Sequence, residues 1–251
     1  MNTRVLKRIN QDFFKKWSSD MAYVLGFVVA DGCVVLNKNR KKNPFTFNIT
    51  SVDLEHLYKI KKVLESEHKI SEKLGGSNNS AYQIQIRNSV LANDLMKLGV
   101  SPRKTYNLGP IKAPDKYFPD FVRGFFDGDG SVYVYKVNGI QQIKVGFVSA
   151  RLSFLAEFNK QLCKNLEIPL KSIHRTIDQE RGRMVRFSIN FYIDDCEKLY
   201  KFMYKNASIF LDRKYRIFKK WENIKSKNRR HYIKKNYPSK IGWQLNQKVL
   251  V

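Results

Sequence analysis

The sequence predicts an α+β fold of two similar halves, each running helix-strand-strand-helix-strand-strand-helix. Three observations carry that prediction. A ten-residue pattern occurs twice, as Tyr23-Val24-Leu25-Gly26-Phe27-Val28-Val29-Ala30-Asp31-Gly32 and as Phe121-Val122-Arg123-Gly124-Phe125-Phe126-Asp127-Gly128-Asp129-Gly130. Each copy is an apolar, helix-like run with an internal glycine and an Asp-Gly end, followed by a strand-like stretch. Period-two alternation recurs at matching places, with Tyr82, Ile84 and Ile86 against Gln83, Gln85 and Arg87, and with Val185, Phe187 and Ile189 against Arg186, Ser188 and Asn190. The halves also end alike: Ser101-Pro102-Arg103-Lys104-Thr105-Tyr106 pairs with Leu211-Asp212-Arg213-Lys214-Tyr215-Arg216. Duplicated modules in one chain are expected to sit about a pseudo-twofold axis, with the repeated helices at the interface.

The elements follow in order. Residues 1–20 are mixed and basic, a short helix or arm. A helix over 21–31 leads to a strand over 33–38, a basic turn from Asn39 to Pro44 and a strand over 45–51. A helix then runs from Ser51 to about 65, with Asp53 and Glu55 in its first turn, where acids favour the helix dipole. A strand at 69–74, a loop over Gly75–Asn79, a strand at 81–87 and a helix at 89–98 complete the first module. Pro110, Pro114 and Pro119 mark 108–120 as a linker. The second module repeats the order: helix 118–129, strand 131–137, a turn at Asn138-Gly139, strand 140–149, helix 151–165, strand 170–177, a turn at Arg181-Gly182, strand 183–192 and helix 193–204. The domain boundaries expected are 1–107, 108–120, 121–221 and a basic extension over 222–251.

The repeated pattern poses a physical problem. A glycine inside a helix costs about 1 kcal/mol relative to alanine, so Gly26 and Gly124 need a reason. Ala30 and Gly128 lie four residues on and extend a small-residue stripe along one face, which lets two backbones approach closely. Gly32 and Gly130 are expected to cap the helices in the left-handed conformation. Asp31 and Asp129 then occupy the last helical turn, where the dipole is already negative. Two carboxylates brought together there repel and raise a pKa. A divalent cation relieves both effects. A single Asp-Gly after an apolar run is usually a turn; two copies with the same spacing outweigh that reading.

Composition narrows the partner. The chain has 251 residues, with 47 Lys+Arg against 22 Asp+Glu and a net charge of +25. Such a surplus implies a polyanion, most simply nucleic acid, although charge alone does not separate an enzyme from an architectural protein. No apolar run reaches the roughly 20 residues of a membrane span, and no signal-peptide core opens the chain. Cys33, Cys163 and Cys196 are few, odd in number and far apart, which fits a reducing compartment with neither disulfide framework nor zinc site. The four histidines do not cluster. An intracellular setting is expected, in bacterial or phage-host cytoplasm and nucleoid or in an organelle matrix.

Val24–Gly32 and Val122–Gly130 together resemble the signature of LAGLIDADG homing endonucleases of the single-chain, two-repeat type, and the lead-in Phe13–Tyr23 is similar to bacterial and phage members. The resemblance covers about residues 13–221. Val29 departs from it where the family often has an acid, and both copies keep the final acid. The resemblance implies a saddle of two four-stranded sheets over DNA, and a site-specific double-strand endonuclease that cuts across the minor groove to leave 3′ overhangs. It assigns metal binding and catalysis to Asp31 and Asp129, places Lys104 and Lys214 near the metal, and puts Asn48 near the attacking water, with about Gly146 opposite it in the second half. Hard oxygen donors select Mg²⁺, with Mn²⁺ as a substitute and Ca²⁺ supporting binding without cleavage. An RNA maturase acting on intron RNA, or a non-catalytic DNA-binding regulator of the same fold, would share the basic surface.

Residues on the polar sheet faces are the candidates for reading bases in the major groove. The first module offers Asn37, Asn39 and Lys41 on its first strand, then Gln83, Gln85 and Arg87. The second offers Tyr133, Tyr135, Lys144, Arg186, Ser188 and Asn190. The two sets differ, so a monomer and a long, non-palindromic site are expected. Residues 222–251 hold a single acid, Glu222, among many lysines and arginines, which suits a phosphate-contacting extension or a solvated tail.

Overall fold

The backbones of the two repeated helices meet where their glycines sit. The computed structural model describes residues 7–74, 80–179 and 184–236, with only the backbone at 74, 178 and 227–236. Helices α1 (Ser19–Asp31) and α5 (Phe118–Asp129) run side by side in the same direction. A Cβ on Gly26 would overlap the Phe121 carbonyl oxygen and stand 2.7 Å from the Phe125 nitrogen. A Cβ on Gly124 would overlap the Tyr23 carbonyl oxygen and stand 2.9 Å from the Phe27 nitrogen. The contacts are reciprocal, as a twofold relation requires. Serine and proline set the helix starts: Ser18 Oγ accepts from the Met21 nitrogen at 3.1 Å, and Pro119 lies in the first turn of α5.

The glycines that end these helices differ from expectation. Gly32 (φ −93°, ψ 165°) and Gly130 (φ −76°, ψ 158°) are extended rather than left-handed. The chain passes directly from helix into strand, so no reversal is needed. Glycine is required there for room: a Cβ at Gly32 would lie 2.7 Å from Val28 Cγ1, and one at Gly130 would lie 2.5 Å from the Phe126 carbonyl oxygen.

Each helix leads into a four-stranded antiparallel sheet. In the first repeat β1 (Gly32–Leu36), β2 (Phe45–Ser51), β3 (Ile70–Leu74) and β4 (Ser80–Ile86) are ordered β1-β2-β4-β3, with α2 (Leu54–Val63), α3 (Ser89–Lys97) and the short α4 (Lys104–Asn107). In the second, β5 (Ser131–Val137), β6 (Ile140–Ser149), β7 (His174–Asp178) and β8 (Met184–Tyr192) are ordered β5-β6-β8-β7, with α6 (Leu152–Leu166), α7 (Ile193–Tyr204) and α8 (Asp212–Asn236). This is the saddle of two αββαββα repeats. One face of each sheet packs on helices: Phe47, Ile49, Ile84 and Ile86 in the first, and Ile143, Val145, Phe147, Ile189 and Phe191 in the second are fully buried or nearly so. The other face is open.

Several boundaries move. The first strand ends at Leu36, because the Asn37 nitrogen donates to the Pro44 carbonyl at 2.8 Å and Asn37 Oδ1 accepts from the Asn39 nitrogen at 3.2 Å. Asn37, Asn39 and Lys41 therefore belong to an exposed turn rather than to the strand that was expected to carry them. The strand expected from 170 begins at His174. Helix α8 continues through position 221 to Asn236. The loop expected at 75–79, the turn at 181–182 and the end of the chain beyond 236 lie outside the described residues. Among the described residues no helix is long and apolar enough to cross a membrane.

Candidate metal centre and nucleic-acid interface

The parallel packing of α1 and α5 brings their C-terminal ends together, and with them Asp31 and Asp129. Gly128 makes this possible, since a Cβ there would overlap that of Ala30 and come within 3.4 Å of Asp31 Oδ2. Both carboxylates reach solvent, yet protein crowds them enough to act on their charge. Burial, and then the charge of Asp129, lift Asp31 to about 6, against the pull of Lys104, Lys214 and Arg213. Burial also raises Asp129, opposed by Lys104, Lys214 and Arg186. Two parallel dipoles end at the same place and deepen the negative potential.

Two lysines answer that potential. Lys104 Nζ donates to the Val29 and Ala30 carbonyls at the end of α1. Lys214 Nζ donates to the carbonyls of Phe126 (2.6 Å), Asp127 (2.8 Å), Gly128 (3.3 Å) and Gly130 (2.6 Å) at the end of α5. Most of these carbonyls lie where helical partners run out; that of Phe126 also accepts from the Gly130 nitrogen at 2.8 Å. Burial lowers both ammonium groups, Lys214 to about 8. An ordinary surface lysine is thereby excluded at both positions, and each lysine sits at the end of the helix that carries its own repeat's aspartate.

The second lysine is delivered by a buried apparatus that the sequence did not announce. Arg123, within the apolar run of α5, is 1% exposed. It donates to the Ile209 carbonyl (2.9 Å), the Met203 carbonyl (2.6 Å) and Asp120 Oδ1 (2.6 Å). Asp127 Oδ2 accepts from the Leu211 nitrogen (2.8 Å) and from the Tyr23 hydroxyl (2.6 Å). Together they pin 203–211 to α5 and aim the start of α8 at the helix ends. Tyr23 gives its proton to Asp127, so His56 Nε2, 3.0 Å from the Tyr23 oxygen, is the donor in that contact. Burial, and then the charge of Lys59, hold His56 down to about 4, so it stays neutral at ordinary pH. Val29 stands where Asp127 stands in the other repeat, and no such network forms there. The acid missing from the first copy is thus a structural acid in the second.

Among the described residues no group of three or more His, Cys, Asp or Glu gathers as a metal cage. The two carboxylates nonetheless fit a hard divalent cation. They repel one another at the negative ends of two helices, and Mg²⁺ commonly takes only one or two protein carboxylates, filling its shell with water and substrate phosphate.

The centre opens into cavities on either side. One, of about 410 Å³, is lined by Asp129, Ala30, Lys104, Thr105, Ser149 and Arg186, among others. The other, of about 320 Å³, is lined by Asp31, Thr50, Ser51, Ala81, Asp127 and Arg213. Arg186, expected out on the sheet as a base reader, therefore lines the same cavity as Asp129. Asn48 is 8% exposed on β2, its Nδ2 3.7 Å from Cys33 Sγ and its Oδ1 without a hydrogen-bond partner. Gln85 is exposed and Gln83 half-buried on β4, and Arg87 follows just past its end. On the second sheet Lys144 lies between two exposed tyrosines, 6.0 Å from the Tyr133 ring and 5.6 Å from the Tyr192 ring. Tyr135 donates to Gln142 Oε1 at 3.0 Å. Ser188 and Asn190 are half-buried on the open face of β8. Tyr192 was missed because it closes the strand, where alternation is hard to read.

The profile of the LAGLIDADG-like domain matches residues 18–97. No curated protein matches the sequence. Among solved structures, LAGLIDADG homing endonuclease I-GzeII in complex with its DNA target is 14% identical, covering 87% of this chain and 93% of that one, with a TM-score of 0.57. A point mutant of I-SmaMI is 15% identical over 79% of this chain and 87% of that one, with a TM-score of 0.53. Full-length DUF199/WhiA from Thermatoga maritima is 14% identical over 90% and 78%, with a TM-score of 0.47. The chain thus carries a LAGLIDADG-like domain over 18–97, and its two repeats together have the fold of the LAGLIDADG homing endonucleases.

Proposed function

We propose that this protein is a site-specific endonuclease that hydrolyses both strands of a DNA duplex with the help of a divalent cation. The observation that carries the reading is the meeting of Asp31 and Asp129 at the ends of α1 and α5, between two sheets in a chain of net charge +25. The two carboxylates hold the cation, Mg²⁺ by the hardness of the donors, with Mn²⁺ as a substitute. A cation so held supplies charge for the leaving 3′ oxygen and an acidified water as nucleophile. Lys104 and Lys214 fix the helix ends and set positive charge beside both carboxylates and the scissile phosphates. Asn48 offers a polar contact to the reacting water of one strand. Gln83, Gln85, Arg87, Tyr133, Lys144 and Ser188 face the duplex, with the turn at Asn37, Asn39 and Lys41 reaching its flank. Residues 1–107 and 121–221 act as the two half-site readers of a monomer, and the cut leaves 3′ overhangs, as in the family the sequence resembles.

Selection from a randomised duplex library tests this, run once with Mg²⁺ and once with Ca²⁺. The expected result is one long, non-palindromic site, cut in both strands with Mg²⁺ and bound uncut with Ca²⁺, at one protein per duplex. Tight binding without cleavage in Mg²⁺ or Mn²⁺ would point to a regulator. A preference for folded intron RNA over every duplex would point to a maturase.

A further inference from the structure

The polar residues near the two repeated aspartates do not correspond strand for strand. Two residues past each aspartate, three strands lie in register. In the first repeat the row is Cys33, Asn48 and Gln85; in the second it is Ser131, Gly146 and Asn190. Gly146 thus stands at the position of Asn48 and has no side chain to offer. The space is not left open. A Cβ built on Gly146 would meet Asn190 Oδ1 at 3.2 Å and Ser131 Oγ at 3.0 Å. The Asn190 side chain thus crowds the place where a side chain at Gly146, the position of Asn48 in the first repeat, would begin. Gln85, which shares Asn190's place in the row, is exposed, whereas Asn190 is half-buried. Gly146 does not need glycine for its backbone angles, because its φ lies outside the left-handed range. Glycine leaves room there for the neighbouring amide, which a Cβ would crowd.

We propose that Asn190 is the positioning residue for the reacting water and phosphate on the second-repeat side of the centre, the role proposed above for Asn48 on the first. Asn190 is then a group of the cleavage chemistry for one strand, rather than the base reader its place in the strand suggests. The inference rests on the nuclease reading above and adds a strand-specific division of labour to it.

Strand-resolved cleavage tests the assignment, on the selected duplex labelled separately on each strand, beside an affinity titration in Ca²⁺. Asn190→Ala is expected to slow cleavage of one strand on the order of 10- to 100-fold, as loss of orientation does, so that nicked duplex accumulates. Affinity and preferred sequence stay those of the wild type. Asn48→Ala should give the opposite nick. Moving the amide back, as Gly146→Asn with Asn190→Ala, should restore the slowed strand, since the position of the amide and not its strand of origin is what counts. Equal slowing of both strands, or a changed base preference at one position, overturns the assignment while leaving the nuclease reading intact. A wild-type protein that cuts no duplex overturns both.

Discussion

Lys214 is a buried ammonium whose hydrogen bonds all run to the exposed carbonyl end of one helix. Its stem is packed, so Lys214→Met keeps most of the volume and removes the charge and the donors. The change should cost about 1–3 kcal/mol of stability, the penalty for polar groups left without partners. It should also lower the cleavage rate more than the affinity for DNA. Urea unfolding and single-turnover cleavage measure the two effects; an unchanged unfolding midpoint would mean that the carbonyls are satisfied without the lysine. Lys104, on two carbonyls, should show the same pattern at smaller cost.

His56 gives a pH dependence whose sign follows from its surroundings. Its pKa is about 4 in the folded protein against 6.5 unfolded, so the unfolded chain binds the proton more readily. The contribution of neutral His56 is complete above pH 6.5 and is lost as pH falls toward 4, by about 3 kcal/mol in all. Asp31 and Asp127, both raised to about 6, act in the opposite sense in the same window, because their folded forms hold a proton more tightly. The wild-type curve therefore blends the two. The difference between wild type and His56→Gln isolates the histidine, and that difference should shrink steadily from pH 6.5 to pH 4. A difference independent of pH would show that His56 is not held neutral.

At the level of elements, the contact of α1 with α5 joins the repeats and brings Asp31 and Asp129 together at once. Gly124→Ala places a methyl group on the Tyr23 carbonyl oxygen, with backbone on both sides and no flexible side chain to give way. The helices must part, at a cost of about 3 kcal/mol or more, the upper range for overpacking. Thermal unfolding measures the loss, and cleavage should fall further than stability because the aspartates separate. The sequence made this contact readable, since glycine inside an apolar helix is costly and recurs at one spacing in both copies. It did not make Arg123 readable. A single charge in an apolar run could face solvent, and only the folded chain brings the carbonyls of Met203 and Ile209 around it. Asp127 was hidden in the same way: its partners Tyr23 and Leu211 lie 104 and 84 residues away. The left-handed caps expected at Gly32 and Gly130 failed because a local rule for helix ends assumes that the chain turns back, whereas here it runs on into a strand.

Across the whole molecule, duplication accounts for the plan and divergence for the chemistry. Period-two alternation was enough to place Gln85 and Lys144 on open sheet faces, because that pattern survives wherever one face is buried. It could not say that Arg186 would reach the cavity of Asp129, or that Asn190 would lie over Gly146, since both depend on strand register. The second repeat's lysine is backed by Arg123 and Asp127, with Tyr23 reaching Asp127 from the first repeat's helix, whereas Val29 stands at the place of Asp127 in the first repeat. The two halves therefore differ in the polar residues on their open sheet faces and in the support behind each lysine.

The central claim is that Asp31 and Asp129 form one cation-dependent cleavage centre. Its most direct test compares wild type with Asp31→Asn and Asp129→Asn on the selected duplex, scoring cleavage of each strand in Mg²⁺ and affinity in Ca²⁺. Each variant should lose cleavage of both strands while binding DNA nearly as well as the wild type, because neither carboxylate alone can hold the shared site. Cleavage at the wild-type rate by either variant would contradict the account.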